Sequence, residues 1–345
     1  PQLALLGVVG ATDDNIDAIQ ITLSEGASAD YKSLSALQAR VTTTVTALDK
    51  LTHHSVLDAD AANNPVLQDY LDAGIAGVGD TAGDDNLLAV NAQLRLVALT
   101  VDKNSAAEIQ ALVTAGNAAL SYLTTTIQPL TTAPAAGSEG AGELSVDAQL
   151  AAYAAAGVTG VSADNLLAVN AQLRLETISD SKDSVSDIQA IVAKADAAIA
   201  KVETHTSQDT ALTVADYEAV GVTGVADAAG SDNLSAVNAQ VLLAADGDAN
   251  SVAEIQALVT AGNAALSYLT TTIQPLTTAP AAGSEGAGEL SVDAQLAAYA
   301  AAGVTGVSAD NLLAVNAQLR LETISDSKDS VSDIQAIVAK ADAAI

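Results

Sequence analysis

Ninety-three consecutive residues, Ala107–Ile199, recur without a substitution as Ala253–Ile345, at an offset of 146. Exact self-similarity at this length constrains the fold more than any other feature. Whatever one stretch folds into, its twin folds into as well, and the architecture has to be built from copies. Inside the superperiod lies a shorter unit with two markers. The first is a Tyr followed by a Gly motif: Tyr70 with "GIAGV", and Tyr153, Tyr217 and Tyr299 with "GVTGV". The second is "DNLLAVNAQL" or a relative, beginning at Asp85, Asp164, Asp232 and Asp310. A degenerate first version, "GVVGATDDNIDAIQ", occupies Gly7–Gln20, which makes five copies.

The copies alternate. The second marker Gly lies 9 residues before the Asn of the DN pair in two of them (Gly77 to Asn86, Gly224 to Asn233) and 5 residues before it in three (Gly10 to Asn15, Gly160 to Asn165, Gly306 to Asn311). The order is short, long, short, long, short. It divides the chain into 1–60, a degenerate short module; 61–143, long; 144–210, short; 211–289, long; and 290–345, a truncated short module. Alternation predicts that the two types meet through two different interfaces.

Each copy reads as three helices. The first ends at the marker Gly, which suits a left-handed helix stop, and the apolar residue behind it (Ile75, Val158, Val222, Val304) suits the accompanying contact. In "NNPVLQDYLDAG" Asn64 is placed to cap and Pro65 to take the first helical position. "TVAD" at Thr213–Asp216 resembles a capping box. The second helix starts at the DN pair, with Ser162 or Asp164 as cap and Leu166, Val169 and Leu173 on one face. The third opens with Ser three residues ahead of an acid, at Ser105, Ser184, Ser251 and Ser330. Val185, Ile188, Val192, Ala195, Ile199 and Val202 then keep a helical period. Gly116 and Gly262 interrupt the long copies' third helix, where a close helix crossing would justify them. "YLTTTIQPL" (Tyr122–Leu130) reads as a helix end stopped near Pro129. "TTAPAAGSEGAGELS" (Thr131–Ser145, Thr277–Ser291) and "THTSQDTALT" (Thr204–Thr213) read as linkers. No stretch reads as a clear strand. The expected fold is all-α: an elongated tandem array of small three-helix bundles.

Composition narrows function. The hydrophobic half of the chain is mostly Ala, Leu, Val and Ile, with no Phe, Trp, Met or Cys and only 7 Tyr. That suits thin helices approaching closely. Without Cys there are no disulfides, thiol nucleophiles or thiolate zinc sites. With 42 acids against 12 bases the net charge is −30, which argues against nucleic acid and anionic membranes. No run is long enough to span a membrane, and no signal-peptide pattern opens the chain. Starting at Pro-Gln and stopping in mid-pattern, the chain reads as a window on a longer polypeptide.

Candidate chemistry is sparse. "DGDANS" places Asp246, Asp248 and Asn250 like positions 1, 3 and 5 of a calcium loop, but Ser251 and Ala257 stand where Gly and Glu are needed. The equivalent loops carry Lys, which opposes tight cation binding. Asp84, Asp85 and Asp232 lie in or beside the acidic inserts of the long copies. All six admit at most weak calcium binding. His53, His54 and His205 lack a recurring partner set. No nucleophile–base order, Walker or dinucleotide pattern is present. The regular Tyr positions read as the one large core residue beneath the first helix, not as a ligand platform. These features predict no enzyme, no cofactor and no catalytic residue.

The set "LTVADYEAVGVTGV…DNLSAVNAQV…SVAEIQALV" resembles the tandem GA-like three-helix modules of giant, repetitive surface proteins of Gram-negative bacteria. The resemblance covers essentially the whole chain. It implies secretion, display at the cell surface, and an extender or adhesive role, without carrying over any albumin-binding residues. The expected function is a structural segment (stalk, spacer, filament or matrix fibre), with self-association head to tail or laterally. The alternative is a multivalent array recognising a host protein, glycan or neighbouring cell.

Overall fold

The structure is a computed structural model. It describes residues 2–26, 31–54, 64–81, 84–97, 104–127, 144–176, 184–228, 232–244, 248–273, 290–322 and 330–345. The fold is all-α. The helices are α1 (Gln2–Leu5), α2 (Ile16–Glu25), α3 (Leu34–His53), α4 (Leu67–Asp72), α5 (Leu87–Leu96), α6 (Ala106–Tyr122), α7 (Val146–Ala155), α8 (Leu166–Leu175), α9 (Val185–Glu203), α10 (Val214–Val220), α11 (Leu234–Leu243), α12 (Val252–Tyr268), α13 (Val292–Ala301), α14 (Leu312–Leu321) and α15 (Val331–Asp342). The only extended pairing among the described residues is a two-residue antiparallel ladder in the first long insert, Asp80–Thr81 against Asp84–Asp85.

The chain forms two compact units, Pro1–Ala163 with Leu173–Val192, and Asp164–Gln172 with Ala193–Ile345. In the first, Tyr70 packs with Leu51, Leu94, Ile109 and Val113, beside a smaller cluster of Val8, Ile19 and Val41. In the second, Tyr299 packs with Leu312, Val315, Leu319, Ile334 and Val338. Tyr70, Tyr153, Tyr217 and Tyr299 are all fully buried, as their regular spacing predicts. Burial is the main cause that pushes each phenol far above its ordinary value, with Asp69 adding to it at Tyr70 and Asp216 at Tyr217.

Local signals account for most helix boundaries. Ser105 and Ser251 accept from the N–H of Glu108 and Glu254, whose carboxylates take the serine N–H in return. At Ser184 and Ser330 the acid is Asp, one methylene shorter, and its carboxylate takes the serine hydroxyl at 2.6 Å. At α10 the Asp216 carboxylate accepts both the N–H and the hydroxyl of Thr213. The first marker Gly of each copy is left-handed, and two bonds close each helix end behind it. At α7 these run from Gly157 N–H to Ala154 O and from Val158 N–H to Tyr153 O.

Three expectations change in detail. α4 begins at Leu67 with Val66 as its N-cap, so Asn64 does not cap and Pro65 lies outside the helix. Asp69 accepts the Val66 N–H instead, and the Pro65 carbonyl is taken by Asn91. At the start of the second helix, the N-cap positions Asn15, Asn86, Asn233 and Asn311 make no side-chain cap. The carboxamide turns back into the Gly loop: Asn311 accepts from Ser308 N–H and donates to Gly306 O and Asp342. After α6 and α12 the chain winds on as a π-helical turn, Leu123–Ile127 and Leu269–Ile273, inside the stretch read as a helix end. Thr124 and Thr125 both donate to Ser121 O there, competing for a helix carbonyl. Pro129 and residues 131–143 and 277–289 of the linkers lie outside the described residues.

Candidate functional site

Among the described residues, what recurs is a joint between successive copies. It is built from polar side chains that address backbone groups. A helix closed by a left-handed Gly satisfies two of its last carbonyls internally and leaves the next one open. That open carbonyl belongs to Ala155, Ala219 and Ala301 at the ends of α7, α10 and α13. In each case it is filled from the preceding copy: Gln93 donates to Ala155, Gln172 to Ala219 at 2.8 Å, and Gln240 to Ala301. All three glutamines are the Gln of the "VNAQ" marker.

The same helix ends seat their Gly on that neighbour's second helix. A Cβ at Gly157 would lie 2.9 Å from Ala92 and 3.0 Å from Leu88 O. At Gly221 it would lie 2.6 Å from Leu167 O and 3.1 Å from Ala171, and at Gly303 2.8 Å from Ser235 O and 3.1 Å from Ala239. The partners stand two and six residues after the DN Asn each time. At the first joint Gly74 meets Ile21 and Thr22; Thr22 replaces the Gln and bonds Thr44 instead.

Two supports fix the parts. A glutamine of the third helix clamps both the N–H and the C=O of the residue two beyond the marker Gly, in all five copies: Gln38 on Val9, Gln110 on Ala76, Gln189 on Thr159, Gln256 on Thr223 and Gln335 on Thr305. The buried Tyr hydroxyl donates to the second-helix Asn in pairs Tyr70–Asn91, Tyr217–Asn238 and Tyr299–Asn316. Asn91 and Asn238 pass the bond to the carbonyls of Pro65 and Leu212, whereas Asn316 reaches Gln295, which donates to Leu290 O.

Around this shared seat the further contacts differ with the order of the copies. From short to long, a third-helix lysine reaches the first-helix Asp of the next copy, Lys50 to Asp69 at 2.6 Å and Lys201 to Asp216 at 2.5 Å. Burial raises the Asp216 carboxyl, but Lys201 and Thr213 outweigh it and hold it below its ordinary value. The Asp164 carbonyl also accepts Val252 N–H at the start of α12. From long to short, the DN Asp faces the start of the next copy's third helix. Asp85 meets Ser186 and Asp187; Asp232 lies 3.4 Å from Ser332 and near Asp333. Both carboxyls are raised, by burial first and then by Asp80 and Asp227 respectively.

Of the calcium candidates, Asp85 and Asp232 therefore belong to joints. Asn250 is exposed, and its N–H bonds the Glu254 carboxylate. Asp84 pairs with Thr81 in the insert ladder. Asp248 opens the turn before α12, and Asp246 lies outside the described residues. Among the described residues no group of three or more His, Cys, Asp or Glu could hold a metal ion. No helix among them is long and apolar enough to cross a membrane. The joint glutamines and the Tyr–Asn pairs were not singled out by sequence reasoning, although both recur at fixed offsets from the DN Asn. No protein-family model matches the chain, and no curated protein or solved structure matches it.

Proposed function

We propose that this chain is a structural repeat segment, a tandem array of small three-helix bundles forming a stalk, spacer or fibre of a secreted bacterial surface protein that acts in adhesion or self-assembly. The observation that carries this reading is the joint: the same sequence positions meet at successive copies, so each added copy extends the chain without new interface residues. Units of this size are marginal alone, and neighbour contacts supply much of their stability. The recurring polar side chains hold backbone, and none is grouped for chemistry. Display at the cell surface rests on the resemblance to giant repetitive bacterial proteins.

The test is length against copy number. Chains of one, two and three 146-residue superperiods are compared by small-angle scattering and electron microscopy. A constant increment in maximum dimension per superperiod is expected. A compact particle of 345 residues has a radius of gyration of about 20 Å; values that stay on that compact scaling would overturn the reading. Retention of one host protein or glycan by an isolated pair of copies, strengthening with copy number, would move it to a multivalent binding array. At −30 per chain, association between chains should strengthen with salt and weaken on dilution to low ionic strength.

A further inference from the structure

The connection from α9 to α10 lines an open cavity of about 570 Å³, within the size range of small-molecule sites. The lining draws Lys201 from α9, His205, Asp209 and Thr210 from the connection, and Thr213 and Asp216 from the start of α10. What these groups still have to offer decides what the cavity suits. Both oxygens of Asp216 are occupied, one by Lys201 at 2.5 Å and the other by the N–H and hydroxyl of Thr213. Asp209 is only half occupied. Its Oδ2 accepts the N–H and the hydroxyl of Thr206, and its Oδ1 has no partner among the described residues. The bonds from Thr206, helped by the nearby His205, hold this carboxyl below its ordinary value and keep it an acceptor. Lys201 has two further N–H donors beyond the one it gives to Asp216. The His205 ring and the Thr210 hydroxyl make no hydrogen bond among the described residues.

The open set is therefore a carboxylate acceptor, an ammonium donor, a hydroxyl and an imidazole in one cavity. A small anion would meet Asp209 and the field of a chain with net charge −30. A cation would meet Lys201. A neutral ligand whose groups each donate and accept satisfies both kinds of lining. A hydroxyl donates one hydrogen bond and accepts two, so neighbouring hydroxyls on one ring serve Asp209 and Lys201 together. We propose that this cavity binds a neutral sugar unit, one hydroxyl donating to Asp209 Oδ1 and another accepting from Lys201, with His205 and Thr210 completing the polar lining. The site needs only the joint between the third and fourth copies, so it goes beyond the spacer reading and stands or falls apart from it.

Resonance shifts of the 345-residue protein test this at the right place. Thr204–Thr213 lies outside the 93 repeated residues, so its amides are distinct from those of the twin segments. Glucose, galactose, mannose and N-acetylglucosamine are titrated separately to tens of millimolar, with sodium acetate and calcium chloride as charged probes. At least one sugar should shift the Thr204–Thr213 amides saturably, and neither charged probe should. Dextran at the same concentration of glucose units then tells the source. Equal shifts mean that a unit inside a polysaccharide is accepted, and shifts with glucose alone mean a free sugar. Asp209→Asn keeps an oxygen for Thr206 and turns the open acceptor into a donor; it should weaken binding about tenfold. Gln208→Ala, an exposed neighbour outside the lining, should leave binding unchanged, and circular dichroism checks that both variants keep the helical fold. No saturable shift with any sugar, shifts confined to other segments, or equal affinity in Asp209→Asn would each overturn the proposal. Acetate or calcium acting on these amides in place of the sugars would overturn it as well.

Discussion

Gly221 shows how much a single residue position decides. Its φ is +84°, and an added Cβ would come within 2.6 Å of the Leu167 carbonyl oxygen. Gly10 has φ +93° with open space around it. Alanine at Gly10 should cost only the left-handed strain, about 1–2 kcal/mol. Alanine at Gly221 adds a backbone collision to that strain and should cost roughly twice as much, with the loss confined to the joint between the third and fourth copies. Hydrogen exchange of α8 and α10 in both variants would separate the two effects, and equal losses would show that Gly221 acts only as a helix stop. Tyr299 offers a second check. Tyr299→Phe leaves the Asn316 oxygen buried without its donor and should cost about 1–2 kcal/mol in denaturant melts; a neutral change would mean that water replaces the hydroxyl. The marker glycines were legible as stops because a helix end is a local event. Gln172 and Asn316 were not, because their partners lie on segments distant in sequence. Their recurrence seven and five residues after the DN Asn was the available signal.

A whole helix can contradict the preference of one of its residues. Gly262 sits in the middle of α12, where alanine would gain about 1 kcal/mol in helix propensity. An alanine Cβ there would lie 2.9 Å from the backbone N and Cα of Val237 on α11. The crossing cannot open without losing contacts along both helices, so Gly262→Ala should destabilise the protein by about 1–3 kcal/mol. A calorimetric melt gives the sign directly, and a stabilised variant would mean that α11 and α12 slide apart freely. The third and fifth copies place alanines, Ala195 and Ala341, at the equivalent position, and the first places Thr44. Helix existence and type followed from period and caps, most directly where Ser precedes an acid by three. The start of α4 did not, because the Asn91 bond to the Pro65 carbonyl holds that residue outside the helix. The inward turn of the N-cap asparagines was also hidden, since it depends on where the third helix lies.

Across the molecule, acidity is the dominant long-range force, and the joints respond to it with opposite signs. Asp85 and Asp232, at the long-to-short joints, are raised above the ordinary value of 3.8 by burial and neighbouring carboxylates. A raised carboxyl binds more protons folded than unfolded, so its stabilising effect is complete below 3.8 and is lost as pH rises through the folded value. Asp216, at a short-to-long joint, is lowered, so its contribution holds above 3.8 and disappears as pH falls through its folded value. General repulsion among 42 acidic residues also relaxes as protons bind. Thermal stability should therefore rise as pH is lowered toward the ordinary carboxyl value of 3.8, as Asp85 and Asp232 take up protons, then fall once Asp216 protonates. Repulsion alone would give a similar rise, so the wild type must be compared with the double variant Asp85→Asn, Asp232→Asn. That variant should melt higher than wild type at neutral pH and gain less on acidification, because two strained charges are already gone. Lys201→Met should blunt the acid-side fall, because Asp216 then titrates closer to its ordinary value; an unchanged fall would show that Thr213 alone holds Asp216 low. Parallel curves for the wild type and the Asn variant would show that the insert carboxyls do not couple to folding, and that the acid-side gain belongs to the net charge alone.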